Sequence, residues 1–178
     1  PRESLIQATG RFTIHDNLLV NASGPTFAGV HATAHQGKGV RHATIYNNTI
    51  YACTRGIRAA SGSKIDAVVG NLVFSDDPIS GRIDLQADNL VDKVTEAGEY
   101  VVKPGMLPGA ADFSPIIGRC GGSALNLAPF RADIDFDRDF DGVTKGDGAC
   151  RGAYAGAGRR TWLPSNTLKT RGAAAATR

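Results

Sequence analysis

Cysteine is scarce in this sequence: Cys53, Cys120 and Cys150 are the three among 178 residues, with no Cys-x-x-Cys pair. That arrangement gives neither a zinc knuckle nor a dithiol redox motif. No apolar run reaches 18 residues, so no segment has the length and character of a membrane-crossing helix. There is no dense block of Lys or Arg. The net charge of +3, from 20 basic and 17 acidic side chains, permits an acidic partner but carries no nucleic-acid footprint. GxSxG, a P-loop and a GxGxxG leading into a helix are all missing. The opening "PRESLIQATG" has neither an initiator Met nor an apolar signal core, so the chain is expected to be processed, trimmed or part of a longer one.

Glycine is abundant. Its 22 residues are about 12% of the chain against a usual ~7%, so turns are frequent. Hydrophobic content of 42% with 21% charged residues reads as one globular domain large enough to bury a core. The pattern inside it is repetitive. "FTIHDNLLV" (12–20), "ATIYNNTIY" (43–51), "DAVVGNLVF" (66–74) and "LQADNLVDK" (85–93) each place one Asn after a short alternating run. The asparagines are Asn17, Asn48, Asn71 and Asn89, spaced by 31, 23 and 18. Between them lie three Gly-led runs, "GVHATA" from Gly29, "GIRAAS" from Gly56 and "GRIDLQ" from Gly81.

Alternation of period two makes these segments strands. A recurrence of 20–30 residues is too long for tight hairpins and too poor in helical periodicity for βαβ units. Coils of a solenoid fit both facts, because no single coil buries its apolar face alone. Equivalent positions of stacked coils lie about 4.8 Å apart. An Asn at the same turn of each coil can therefore bond its neighbours, and its burial costs little because every polar group finds a partner.

The stretch "VRHATIYNNTIYACTRGIRAASGSKIDAVVGNLVFSD" resembles the coils of right-handed parallel β-helix proteins, the broad group that includes pectate, alginate and chondroitin lyases. The resemblance covers roughly residues 10–93. It implies an all-β fold of three to four coils over 1–93, with further N-terminal coils expected on a longer parent chain or a partner. A second likeness lies beyond it. "LPGAADFSPIIGRC" and "DIDFDRDFDGVTKGDGACRGAYAG" resemble the tail that follows many bacterial secreted β-helices, through Ser114, Pro115, Ile117, Asp139, Asp141, Gly142, Gly152, Ala153 and Tyr154. The usual final Glu is Ala155 here, and Cys150-Arg151 stands where Asp-Ile is usual. The resemblance implies that 94–158 closes the last coil and shields its edge. Residues 159–178, low in core formers beyond Trp162 and Leu163, are expected to be a mobile tail.

The Gly-led alignment stacks His31, Arg58 and either Arg82 or Ile83 on an outward face, with Lys38, Arg41 and Arg55 on flanking turns. In lyases of this fold a basic residue on such a face removes the proton α to a uronate carboxylate, and cations beside it bind that carboxylate. The resemblance thus implies His31 or Arg58 as base and Lys38, Arg41, Arg55 and Arg82 as binders of an acidic polysaccharide outside the cell. The alternative is a non-catalytic β-helix that binds glycan or packs on a partner; a trimeric adhesin is a weaker third reading. Asp137, Asp139 and Asp141 before Gly142 reproduce the start of a Ca²⁺ loop, although Gly148 stands where its bidentate acid belongs, and an Asp-Gly turn is the competing reading. Asp76-Asp77 before Pro78 reads as a turn. His31 and His35, four apart on a strand, are too distant to share a metal. Cys120 and Cys150, both in Gly-rich loop sequence, could bridge; Cys53 reads as a buried thiol.

Overall fold

The computed structural model describes residues 4–34, 36–146 and 150–157. Its first half is a parallel β-helix of four coils. They comprise β1 (Ile6–Ala8), β2 (Gly10–His15) and β3 (Leu18–Val20); β4 (Ala28–Ala32), β5 (Val40–Tyr46) and β6 (Thr49–Tyr51); β7 (Arg55–Ala59), β8 (Ile65–Val69) and β9 (Leu72–Phe74); β10 (Asp77–Ser80), β11 (Ile83–Ala87) and β12 (Leu90–Asp92). Equivalent strands stack into three four-stranded parallel sheets: A holds β1-β4-β7-β10, B holds β2-β5-β8-β11, and C holds β3-β6-β9-β12.

The inward columns are aliphatic: Val30 on Ile57, Ile14 on Ile45 on Val68, and Ile50 on Val73. All of these but Ile14 are fully shielded from solvent, and Ile14 very nearly so. Sheets B and C meet at a two-residue corner in every coil. Its first residue is Asp16, Asn47, Gly70 or Asp88, with φ of 54°, 54°, 65° and 55°. Asp, Asn and Gly are the residues that tolerate this left-handed backbone. The second corner residue is the repeated Asn. Asn17 N and Nδ2 donate to Asn48 Oδ1 (3.1 and 3.0 Å), Asn48 N and Nδ2 to Asn71 Oδ1 (both 3.0 Å), and Asn71 N and Nδ2 to Asn89 Oδ1 (3.0 and 2.9 Å). The expected ladder is therefore present at all four rungs.

The Gly-led alignment is correct for two coils and not for the third. Gly29 pairs with Gly56, but Pro78 takes the next place, so Asp77–Ser80 is a strand of sheet A rather than a turn. A Cβ on Gly56 would stand 2.3 Å from Pro78 O, which explains the glycine there. Gly81 instead serves a left-handed turn at φ 98°, and the run after it is β11 of sheet B.

Among the described residues the segment after β12 leaves part of the last coil's inner column open. Val91 continues the inward column of Ile50 and Val73 yet is 45% exposed. The described part of the segment lies along the flanks. β13 (Val101–Lys103) and β14 (Asp112–Pro115) form an antiparallel hairpin. With Ala97, Cys120, Ala153 and Tyr154 it covers Leu72 and Phe74 on the outer face of sheet C. Phe130 covers Tyr46, Ala67 and Val69 on sheet B, in a stack His15–Tyr46–Phe130 with ring centroids 4.8 and 4.2 Å apart. The reason is compositional. The outer faces of C and B carry Tyr, Phe, Leu and Val that need cover, whereas the inner columns of the last coil end in Gln86 as well as Val91. The tail between 159 and 178, with Trp162 and Leu163, lies outside the described residues.

Candidate functional site

Sheet A keeps its outer face free: among the described residues no hydrogen bond, ion pair or apolar cluster joins it to the segment after β12. Register places Gln7, His31, Arg58 and Ser80 in one outward column. Ala28, Arg55 and Asp77 form the column at the start of the sheet, with the parity of the inward Val30 and Ile57, and the Arg55 side chain reaches from there to the partly exposed Asp77. His31 and Arg58 are thus on adjacent rungs, as the sequence suggested. The third member is Ser80, not Arg82 or Ile83, because β10 and not β11 continues sheet A.

Arg55 Nε lies 3.3 Å from Asp77 Oδ2, which also accepts from Ser80 Oγ at 3.2 Å. Two side-chain polar atoms of sheet A are buried with no hydrogen-bond partner, His31 Nε2 and Arg55 Nη1. Burial, with the Arg58 and Arg55 guanidiniums close by, pushes the His31 imidazole below its ordinary value of 6.5. Its folded pKa being the lower, His31 opposes folding only as pH falls below 6.5, and it is neutral at pH 7. Sheet A thus offers one neutral imidazole and two guanidiniums, one of them with an unused N–H. That combination suits an anion and a proton acceptor held together.

The other cations stand apart from it. Arg41 is the extra residue of a bulge, since Gly10 pairs with Val40 and Arg11 with His42. Lys38 is exposed before β5, and Arg82 is exposed after β10, on the rim of a cleft of about 330 Å³ with Lys64. None of the three makes a hydrogen bond or ion pair to His31, Arg55 or Arg58. Asp77 and Ser80 are members the sequence reading missed. The sequence signal was the alternation of "DPIS", masked by a proline that suggests a turn.

Among the described residues Asp137, Asp139 and Asp141 do not converge on one point with a third ligand, and Asp139 is occupied by backbone donors. Asp139 Oδ1 accepts the N–H groups of Asp141 and Val143 (both 2.8 Å), and Oδ2 accepts Ala155 N (2.9 Å). No three acids, imidazoles or thiols among the described residues group closely enough to hold a metal. The Asp-Gly turn is what the carboxylate organises, and His35, Asp147 and Gly148 lie outside the described residues.

Cys53 is a buried thiol, as expected. Cys120 and Cys150 are both thiols, and the chain brings them together. Gly121 and Cys150 form an antiparallel bridge, Arg151 N donates to Cys120 O at 2.9 Å, and the nearby Cys150 thiol together with burial raises the Cys120 pKa. Oxidised glutathione is expected to convert this pair to a disulfide. Closing a loop of about 30 residues should stabilise the fold by about 3 kcal/mol. Mass spectrometry should find two hydrogens lost and one titratable thiol left, Cys53. Three thiols still titrating after oxidation would show that the pair does not bridge.

A parallel β-helix with a cation-bearing sheet that no other described segment covers is the class that fold and site define. No protein-family model, no curated protein and no solved structure matches the chain, so the reading of the site rests on its own geometry.

Proposed function

We propose that the outer face of sheet A binds an acidic polysaccharide outside the cell and cleaves it by β-elimination. The observation that carries this reading is the pair of buried, partnerless atoms, His31 Nε2 and Arg55 Nη1, of a sheet with a second guanidinium. A uronate carboxylate would take the free Arg55 N–H and the Arg58 guanidinium. Neutralising it acidifies the adjacent C–H and stabilises the enolate that forms. His31 Nε2 then takes that proton. The C–O bond at the β carbon breaks, a C=C bond forms, and the leaving oxygen is protonated by water. Asp77 acts as a positioning residue that holds Arg55.

The test is incubation of the chain with pectate, alginate and chondroitin, with and without calcium, following ultraviolet absorbance of unsaturated uronates. Arg58→Ala and His31→Ala are each expected to lower the rate by a factor on the order of 100 or more. The rate of the parent chain should fall on the acid side of a pKa below 6.5. Tight binding of these polymers without any absorbance rise would favour the non-catalytic binding reading. Neither binding nor cleavage would remove the glycan assignment.

A further inference from the structure

The two ends of the β-helix are finished differently. At the last coil, Pro78 interrupts the N–H row of β10, and a proline in an edge strand blocks further pairing. On β11, Asp84 is exposed and held by Lys64 at 2.6 Å. Gln86 replaces the aliphatic residue of the column Ile14, Ile45 and Val68. These are the devices by which a sheet edge is closed to further strands.

The first coil has none of them. β1, β2 and β3 read IQA, GRFTIH and LLV, with no proline and no acid. Their inward residues Ile6, Phe12 and Leu19, with Leu5, pack on the core from one side only. The asparagine ladder has a direction, since each Asn Oδ1 accepts from the coil before it. Asn17 is the first rung, and among the described residues nothing donates to its Oδ1. Beside it Met106 and Leu107 overhang the coil, 57% and 72% exposed. They roof an apolar cavity of about 390 Å³ floored by Leu5, Leu18, Leu19 and Val20.

We infer that this end is a docking surface for another coil of parallel β-strands. That coil carries an asparagine at its B–C corner to donate to Asn17 Oδ1 and an apolar outward residue on its third strand to fill the Met106–Leu107 cavity. Three strand edges with no partner among the described residues, an unfilled ladder acceptor and an apolar overhang all ask for the same occupant. A second copy of this chain is the poorer occupant, because the end it would offer carries Pro78, Asp84 and Gln86 beside the exposed Val91. The inference does not rest on the glycan reading, which concerns sheet A's outer face.

The chain itself supplies a probe. Leu5 N donates to Ala28 O, and Ile6 pairs with Val30, so Ser4 stands where Ala28 and Arg55 stand in later coils. A copy of residues 28–54 placed directly before Ser4 therefore enters in register. Amide exchange at β1, β2 and β3 should slow at least tenfold, and the thermal midpoint should rise. The same extension with its copied Asn48 changed to Ser and its copied Ile50 to Asp should do neither. Unchanged exchange at the three edge strands, with the extension open to protease, would overturn the proposal. So would concentration-dependent self-association of the parent chain that a Val91→Asp substitution abolishes, since the occupant would then be a second copy.

Discussion

Asn48→Leu is expected to destabilise the protein by about 3–5 kcal/mol, read as a shift of the urea midpoint at unchanged slope. Asn48 is fully buried. Its Oδ1 accepts Asn17 N and Nδ2, and its Nδ2 lies within bonding distance of Ile14 O (3.0 Å), Tyr46 O (2.9 Å) and Asn71 Oδ1 (3.0 Å). Leucine has a similar volume and no polar atoms, so packing is largely kept and the hydrogen bonds are lost. Each buried group left without a partner costs about 1–3 kcal/mol. Asn17 is partly exposed and regains water, which limits the total. Asn17→Leu, at the solvent-facing rung, should cost only about 1 kcal/mol. A change under about 0.5 kcal/mol for Asn48→Leu would mean that the ladder contributes no net stability.

The second large effect lies at the corner beside the ladder. Lys145→Met should cost about 3–5 kcal/mol at pH 7.5, because it strips a buried carboxylate of its counter-charge. The Lys145 side chain is 2% exposed and that of Asp16 is 9%, with Nζ 3.1 Å from Oδ1. Lys145 also donates to Gly152 O at 2.9 Å, so it ties the segment after Cys150 to the first coil. Burial already holds the Asp16 carboxyl above its ordinary 3.8, against the pull of His15 and Lys145. Removing Lys145 raises it further. A folded pKa above the unfolded one means that the folded chain holds a proton the unfolded chain has released, so acid favours the fold. The deficit of Lys145→Met should therefore shrink as pH falls from 7.5 towards 4.5, and Asp16→Asn in the same chain should restore most of it. An equal deficit at both pH values would assign the loss to packing instead of charge.

Both effects arise at the B–C corner, and that corner was half legible in the sequence. The asparagine spacing gave the coils, because only stacking turns a buried Asn from a cost into a bond. The residue before each Asn was overlooked, although Asp-Asn, Asn-Asn, Gly-Asn and Asp-Asn share one property, tolerance of a left-handed backbone. Pro78 misled in the opposite direction. Local rules make it a turn, but an edge strand accepts a proline where no further strand must pair. That one position moved the third rung of the cationic column from Arg82 or Ile83 to Ser80.

What the sequence alone determined is the stack: strands by alternation, coils by the asparagine interval, a core by the aliphatic columns. These are local or periodic properties, and periodicity survives without coordinates. The tertiary structure decided where the described part of the segment after β12 goes, and hence which sheet that part leaves open. That part covers the outward Leu72, Phe74 and Tyr46 of sheets C and B, because burying large apolar side chains drives that packing. The tertiary structure likewise decided that Asp139 gathers backbone N–H groups, that Cys120 meets Cys150, and that Asp77 holds Arg55. Each of these depends on which outward residues share a column. A one-residue difference in register, of the kind Pro78 and Arg41 introduce, changes every such neighbour at once.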